Sequence, residues 1–224
     1  MNLGELKARV RDVLEAETTD LRYTDAKIAL VLNEGNQDMV VRSGCLISTG
    51  TITTVAYQYQ YALPSVCVDI LRFYETEDVK RKVWPLTVKH LDDTRREWRD
   101  HTGTYLEWYF RFSTELLFVG PRPATSGTEY TITYTTDPGL ESMLADTHTP
   151  DMPIRYREPL VDYAVARLLL EGGRGEETAK AALSKMQTYD AGVKRLRDQV
   201  FKTHDRMNRF DQGWPTMADY GVPA

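Results

Sequence analysis

Hydrophobic positions along the chain alternate between a helical period and the two-residue period of a strand. Leu3, Leu6, Val10, Val13 and Leu14 fall on one helical face and predict a helix over residues 2–16, closed by Thr18, Thr19 and Asp20. Thr24 reads as the N-cap of a second helix, with Asp25 favourably charged in its first turn. The apolar stripe of that helix is Ile28, Val31, Leu32, Met39 and Val40, and Ser43-Gly44 closes it as a glycine C-cap. Gly35 interrupts it at a cost of about 1 kcal/mol relative to alanine; a close helix crossing would account for the residue.

The period then becomes two. Residues 51–55 are strand formers, and Tyr57, Tyr59 and Tyr61 alternate with Gln58 and Gln60, which predicts tyrosines on one face of a strand. Pro64 stops this strand, and residues 66–74 start another. Residues 86–99 read as a helix carrying Leu86, His90, Leu91, Thr94 and Trp98. Beyond it, Leu106, Trp108, Phe110 and Phe112 alternate with Tyr105, Glu107, Tyr109 and Arg111. Residues 116–119 continue the sheet, and Tyr130, Ile132 and Tyr134 alternate with threonines. Such alternation predicts an antiparallel sheet with one buried face. Residues 120–127 read as a long hairpin loop stiffened by its prolines.

Pro138, Gly139, Pro150 and Pro153 mark an irregular linker. Pro159 suits the first turn of a helix through Leu160, Ala164, Leu168 and Leu169 to Gly172-Gly173. Leu183, Met186, Tyr189, Val193, Leu196 and Val200 predict a long final helix. From Asp205 the period fails, and Phe210, Trp214, Met217 and Tyr220 are spread among Gly213, Pro215, Gly221 and Pro223. The expected fold is α+β. Residues 1–49 and 150–205 form a helix bundle from both chain ends, and residues 50–137 an inserted antiparallel β domain. Residues 138–149 form a linker, and residues 206–224 an extended C-terminal docking tail.

Composition narrows the function. The 224 residues are 42% hydrophobic and 27% charged, ordinary for a soluble globular protein. No stretch approaches the ~18 apolar residues of a membrane span, and the amino-terminal residues lack an apolar signal core, so neither membrane insertion nor export is expected. A net charge of −5 argues against gripping nucleic acid as the main task. The charge is uneven: residues 174–210 carry nine Lys/Arg against five Asp/Glu, while residues 137–173 carry three against seven. A basic final helix on an acidic body could meet a partner; a solvated helix face is the plainer reading.

Catalytic chemistry finds no constellation. His90, His101, His148 and His204 lie in separate segments without metal-ligand spacing, and Cys45 and Cys67 form neither a zinc site nor a disulfide framework by spacing. Asp92-Asp93 and Glu176-Glu177 are sequence neighbours, which point apart on a helix. Gly172 to Gly175 lacks the preceding strand and the lysine of a phosphate loop. No catalytic residue, metal or cofactor is therefore expected. The aromatic strands permit a rival reading, a single-stranded nucleic-acid-binding module that stacks bases on Trp108 or Tyr59, although the β block is charge-balanced. The tail aromatics cannot bury themselves locally, so they either fold back or anchor in a partner.

Four phrases at the joints carry a family resemblance: YTDAKIALVLNE (23–34), YALP (61–64), LFVGPRP (117–123) and PIRYREPLVDYA (153–164). With the order of helices, β block, helices and aromatic tail, the chain resembles the head-to-tail adaptor (connector) proteins of tailed bacteriophages. The resemblance implies a structural protein of the virion neck, made in the host cytoplasm. It implies a ring of twelve copies that binds the phage portal protein on one side and a tail or further neck protein on the other. Double-stranded DNA would pass through the ring without sequence-specific binding. It also places the portal contact on the final helix and tail, at Lys194, Arg195, Arg197, Lys202, Arg206, Phe210 and Trp214, with Tyr220 as a further tail anchor.

Overall fold

The computed structural model describes residues 1–16, 20–94, 97–139, 142–172 and 175–210, with backbone alone from 203 onward. In chain order the elements are α1 (Leu3–Leu14), α2 (Asp25–Ser43), β1 (Ile47–Thr53), β2 (Gln60–Ala62), β3 (Cys67–Glu75), β4 (Trp84–Pro85) and α3 (Val88–Thr94). Then follow β5 (Thr102–Gly103), β6 (Trp108–Arg111), β7 (Leu116–Gly120), β8 (Arg122–Pro123), β9 (Glu129–Thr136), α4 (Glu158–Gly172) and α5 (Glu176–Phe210). The fold is α+β. The chain divides into two compact units, residues 46–139 and the residues on either side of them.

In the helical unit, local chemistry sets the helix ends. The Asn2 side chain accepts from the Glu5 N–H at 2.8 Å and the Glu5 carboxylate accepts from the Asn2 N–H at 3.0 Å, a reciprocal capping box. α1 stops earlier than its apolar spacing suggests, because Glu15 turns left-handed at φ 50° and donates its N–H back to the last turn. Thr24 caps α2 as expected, accepting from the Lys27 N–H at 3.3 Å, and Gly44 closes it at φ 63°. Gly35 has its explanation in α4. A Cβ there would lie 2.7 Å from Cδ1 of Tyr163, so only glycine admits the ring. Gly192 on α5 plays the same part against Pro159, at 2.5 Å.

α5 packs through Ala182, Tyr189, Val193 and Leu196. Leu183, placed on this stripe by its spacing, is instead 60% exposed, and Ala182 takes the inward position. The Tyr189 ring lies 4.9 Å from that of Tyr163, and its hydroxyl donates to the Asp38 carboxylate at 2.6 Å. The described part of the segment following the β unit is ordered. Leu3 and Gly4 donate their N–H groups to the His148 and Asp146 carbonyls, and Lys7 pairs with Asp146 at 2.6 Å.

The β unit departs from a single one-sided antiparallel sheet. One sheet is antiparallel in the order β1-β9-β3; the second, β2-β7-β6-β4, is mixed because β4 and β6 run parallel. Residues 120–127 are therefore no hairpin loop: they carry the chain from β7 in the second sheet to β9 in the first, and β8 within them pairs parallel to β5. Tyr57 and Tyr59 do not join Tyr61 in a strand. Tyr57 adopts φ 63° and is 66% exposed, and only residues 60–62 pair. The helix expected over 86–99 is the shorter α3.

β6 is covered on both sides. Tyr109 packs into the core shared with Phe73, Leu117, Val119, Tyr130 and Ile132, while Trp108 and Phe110 pack with Leu91 and Trp98 on the other side. Phe112, expected to share the face of Trp108 and Phe110, lies beyond the strand and is exposed.

Buried phenols give this fold a defined alkaline limit. Burial pushes Tyr109 up to about 12, with the Asp69 carboxylate contributing. Burial also raises Tyr61, Tyr130, Tyr163 and Tyr189, the last reinforced by its bond to Asp38. A phenol whose folded pKa is raised contributes stability that is present below the unfolded value of about 10 and is lost as pH climbs toward the folded value. For Tyr109 alone this amounts to ~3 kcal/mol between pH 10 and 12. We expect the phenolate absorbance of these five rings to appear only as the far-ultraviolet circular dichroism collapses. Their full ionisation with the dichroism unchanged would contradict the burial.

Candidate functional site

α5 is buried at intervals as far as Leu196, and beyond it Arg197, Phe201 and Lys202 are exposed. Its 35 residues span about 52 Å. Gly192 is level with Pro159 at the start of α4, and Arg42 at the end of α2 reaches Asp190 at 2.8 Å. Leu196 is the last fully buried side chain described on the helix. Residues 197–210 continue the helix for roughly 20 Å beyond Leu196.

Four cations and one aromatic are exposed on either side of Leu196. Lys194, Arg195, Arg197 and Lys202 are all exposed, and none is ion-paired with a described residue. Phe201 stands among them at 56% exposure. Helical spacing sets Lys194, Arg197 and Phe201 along one strip and Arg195 and Lys202 along another, with Asp198 between. Earlier cations on the same unit are engaged: Lys185 pairs with Asp162 at 2.8 Å and Lys180 with Glu176 at 2.7 Å. Cations without an ion pair to a described residue, beside an exposed aromatic, form a surface able to meet an acidic partner that offers an apolar pocket.

Phe201 was absent from the sequence-based candidates, because Val200 ends the buried stripe and the residue after it reads as its continuation. The Arg206 and Phe210 side chains, Trp214 and Tyr220 lie outside the described residues.

The other chemistry weighed in the sequence resolves into packing. Among the described residues no group of three or more His, Cys, Asp or Glu could hold a metal ion. Asp92 accepts from the Trp98 indole N–H at 2.8 Å, a structural use of one half of the acidic pair. Cys67 is buried and Cys45 half-buried, both free thiols raised by burial. Trp108 is 3% exposed, locked edge-to-face against Trp98 with centroids 5.5 Å apart. Tyr59 is half-buried, 5.4 Å from the Phe118 ring and beneath the Arg122 guanidinium. The base-stacking platform that the rival reading needs is therefore not offered by Trp108. No helix of the described residues is long and apolar enough to cross a membrane.

A search of curated proteins finds no match to the chain. A family model described as "SU10 adaptor protein" matches residues 1–212, almost the full length and both units. With that coverage, the chain belongs to the SU10 adaptor protein family, a phage head-to-tail adaptor family.

Proposed function

We propose that copies of this chain form a ring in the virion neck, twelve by the family resemblance, which joins the portal protein to the tail or a further neck protein. The ring extends the channel through which double-stranded DNA passes. The role is structural and uses no catalytic group. The observation that carries this reading is the exposed surface of α5 that holds Lys194, Arg195, Arg197, Phe201 and Lys202. A helix surface that displays cations around an aromatic suits another protein's groove. In sequence it leads on to Arg206, Phe210, Trp214 and Tyr220, which would deepen the same contact. A net charge of −5 suits a conduit, because Lys/Arg contacts to phosphate would hold DNA in a salt-dependent way rather than let it pass.

Co-sedimentation with the portal ring of the same genome tests this. The full chain is expected to enter a large complex that weakens with salt. Replacing Lys194, Arg197 and Lys202 by glutamate should reduce attachment by about two orders of magnitude, as like charge then meets the acidic partner. Deleting residues 206–224 should abolish attachment while the remaining fold keeps its dichroism. Undiminished attachment by both variants would refute the docking role of this helix. A chain that stays free of the portal in every run would refute the portal partnership itself.

A further inference from the structure

We infer that the free edge of β1 is a strand-pairing surface, and that it takes a second copy of this chain about a two-fold axis through Gly50. The argument starts with the edges of the antiparallel sheet. Its β3 edge is protected. β3 carries two register irregularities against β9. Its far end is bonded by the 81–83 segment through Val83 to Phe73 and Glu75 to Arg81. At its near end Arg111 donates to the Cys67 and Val68 carbonyls. Bulges, covering segments and charged groups are the usual protections of an edge.

Among the described residues β1 shows none of these. It is seven residues long, regular in register with β9 throughout, and without proline. It lies within residues 43–68, which hold no charged side chain in a chain that is 27% charged. The flanking bonds fix which backbone groups face outward. The Leu46 carbonyl accepts from Thr136 at 3.0 Å, and the Thr54 N–H donates to Thr128 at 2.9 Å. Even-numbered residues therefore turn their N–H and C=O toward β9, and Ile47, Thr49, Thr51 and Thr53 turn theirs to the open edge. All four are exposed, and none of these edge groups bonds to a described residue.

This edge complements itself. Antiparallel pairing of two copies about Gly50 sets Ile47 opposite Thr53 and Thr49 opposite Thr51, and these are the residues whose backbone groups face out. Every outward N–H and C=O then finds a partner. The threonine pairs are favourable across strands, and no like charges meet. Gly50 falls at the non-hydrogen-bonded position on the axis, where two Cα atoms approach to about 4.5 Å. One strand pair buries little area, so the dimer is weak and depends on concentration. A two-fold contact closes on two copies, whereas a ring needs unlike contacts between neighbours. The pairing therefore stands or falls apart from the ring reading.

The test uses the full chain without portal. Sedimentation over a concentration series is expected to show a monomer–dimer equilibrium. Replacing both Thr49 and Thr51 by lysine, which sets lysines directly opposite one another, should weaken it at least about tenfold. Amide exchange should show Ile47, Thr49, Thr51 and Thr53 protected at high concentration and released on dilution, while Ser48, Gly50 and Ile52 stay protected throughout. Gly50→Cys should cross-link to itself, because the axial spacing falls in the disulfide range. A Cβ at Gly50 meets only the Tyr134 ring, at an ordinary 3.5 Å, so the variant should fold. A monomer at all concentrations would overturn the proposal, as would a dimer undisturbed by the two lysines. Protection of the four amides without the Gly50→Cys cross-link would give the edge to a different strand, and would equally overturn it.

Discussion

Replacing Trp108 by alanine is expected to destabilise the β unit by about 3–5 kcal/mol, the range for removing a buried large aromatic. The ring packs edge-to-face on Trp98 and stacks parallel to Phe110 with centroids 6.3 Å apart, and it is 3% exposed. Gly120 gives the opposite test of the same packing. A Cβ there would lie 2.0 Å from Cζ2 of Trp108, so Gly120→Ala forces the ring out of place rather than removing it. Both variants should lower the urea midpoint of the transition reported by tryptophan fluorescence. The alanine at 108 does so through a cavity and the alanine at 120 through overpacking. If Trp108→Ala lost less than about 1 kcal/mol, the ring could not be the buried partner described. Retained stability with lost single-stranded DNA binding would revive base stacking as its purpose.

What could be read in the sequence was what neighbours along the chain decide. Thr24 and Gly44 cap α2 through contacts three or four residues away, so their residue types disclose the helix ends. Gly35 stood out as an anomaly, but Tyr163, which explains it, lies more than a hundred residues on. Leu183 was misplaced because steps of three and four do not reveal which side of a stripe is covered; the small Ala182 fits the crossing where leucine does not. The tyrosine and glutamine alternation over 57–61 imitates a strand, yet Tyr57 turns to positive φ and breaks it. Nor could alternation show that α3 and Trp98 would cover the second face of β6. At the candidate site the charge asymmetry exposed the cations of α5. The aromatic among them was hidden by its place beside Val200. Asn33 and Asn36 carry a further signal: two amides set in the apolar stripe of α2, three residues apart, ask for polar partners.

Those partners support the last prediction: replacing Asn33 and Asn36 together by leucine should cost about 3–6 kcal/mol, from several buried groups left unpaired at ~1–3 kcal/mol each. The Asn33 amide donates to the Met143 carbonyl at 3.1 Å and its oxygen accepts from the Met143 N–H at 2.9 Å. The Asn36 amide donates to Ser142 Oγ at 2.8 Å and to the Asp151 carboxylate at 2.9 Å, and its oxygen accepts from the Asp151 N–H at 3.2 Å. Two side chains thus hold both ends of the 142–151 segment on α2, where leucine offers neither donor nor acceptor. The expected result is a lower urea midpoint for the helical unit, with fast exchange at the Met143 and Asp151 amides. Asn36→Asp separates polarity from shape. It sets a second carboxylate against Asp151, so its loss should be large near neutral pH and ease on acidification as one carboxyl takes up a proton. Unchanged midpoints, or amides still protected in the leucine pair, would show that the segment is held by its contacts to α1 instead. The clamp also bears on assembly, because the segment it fixes leads into the Pro159 end of α4, against which Gly192 seats α5 and sets the direction of that helix.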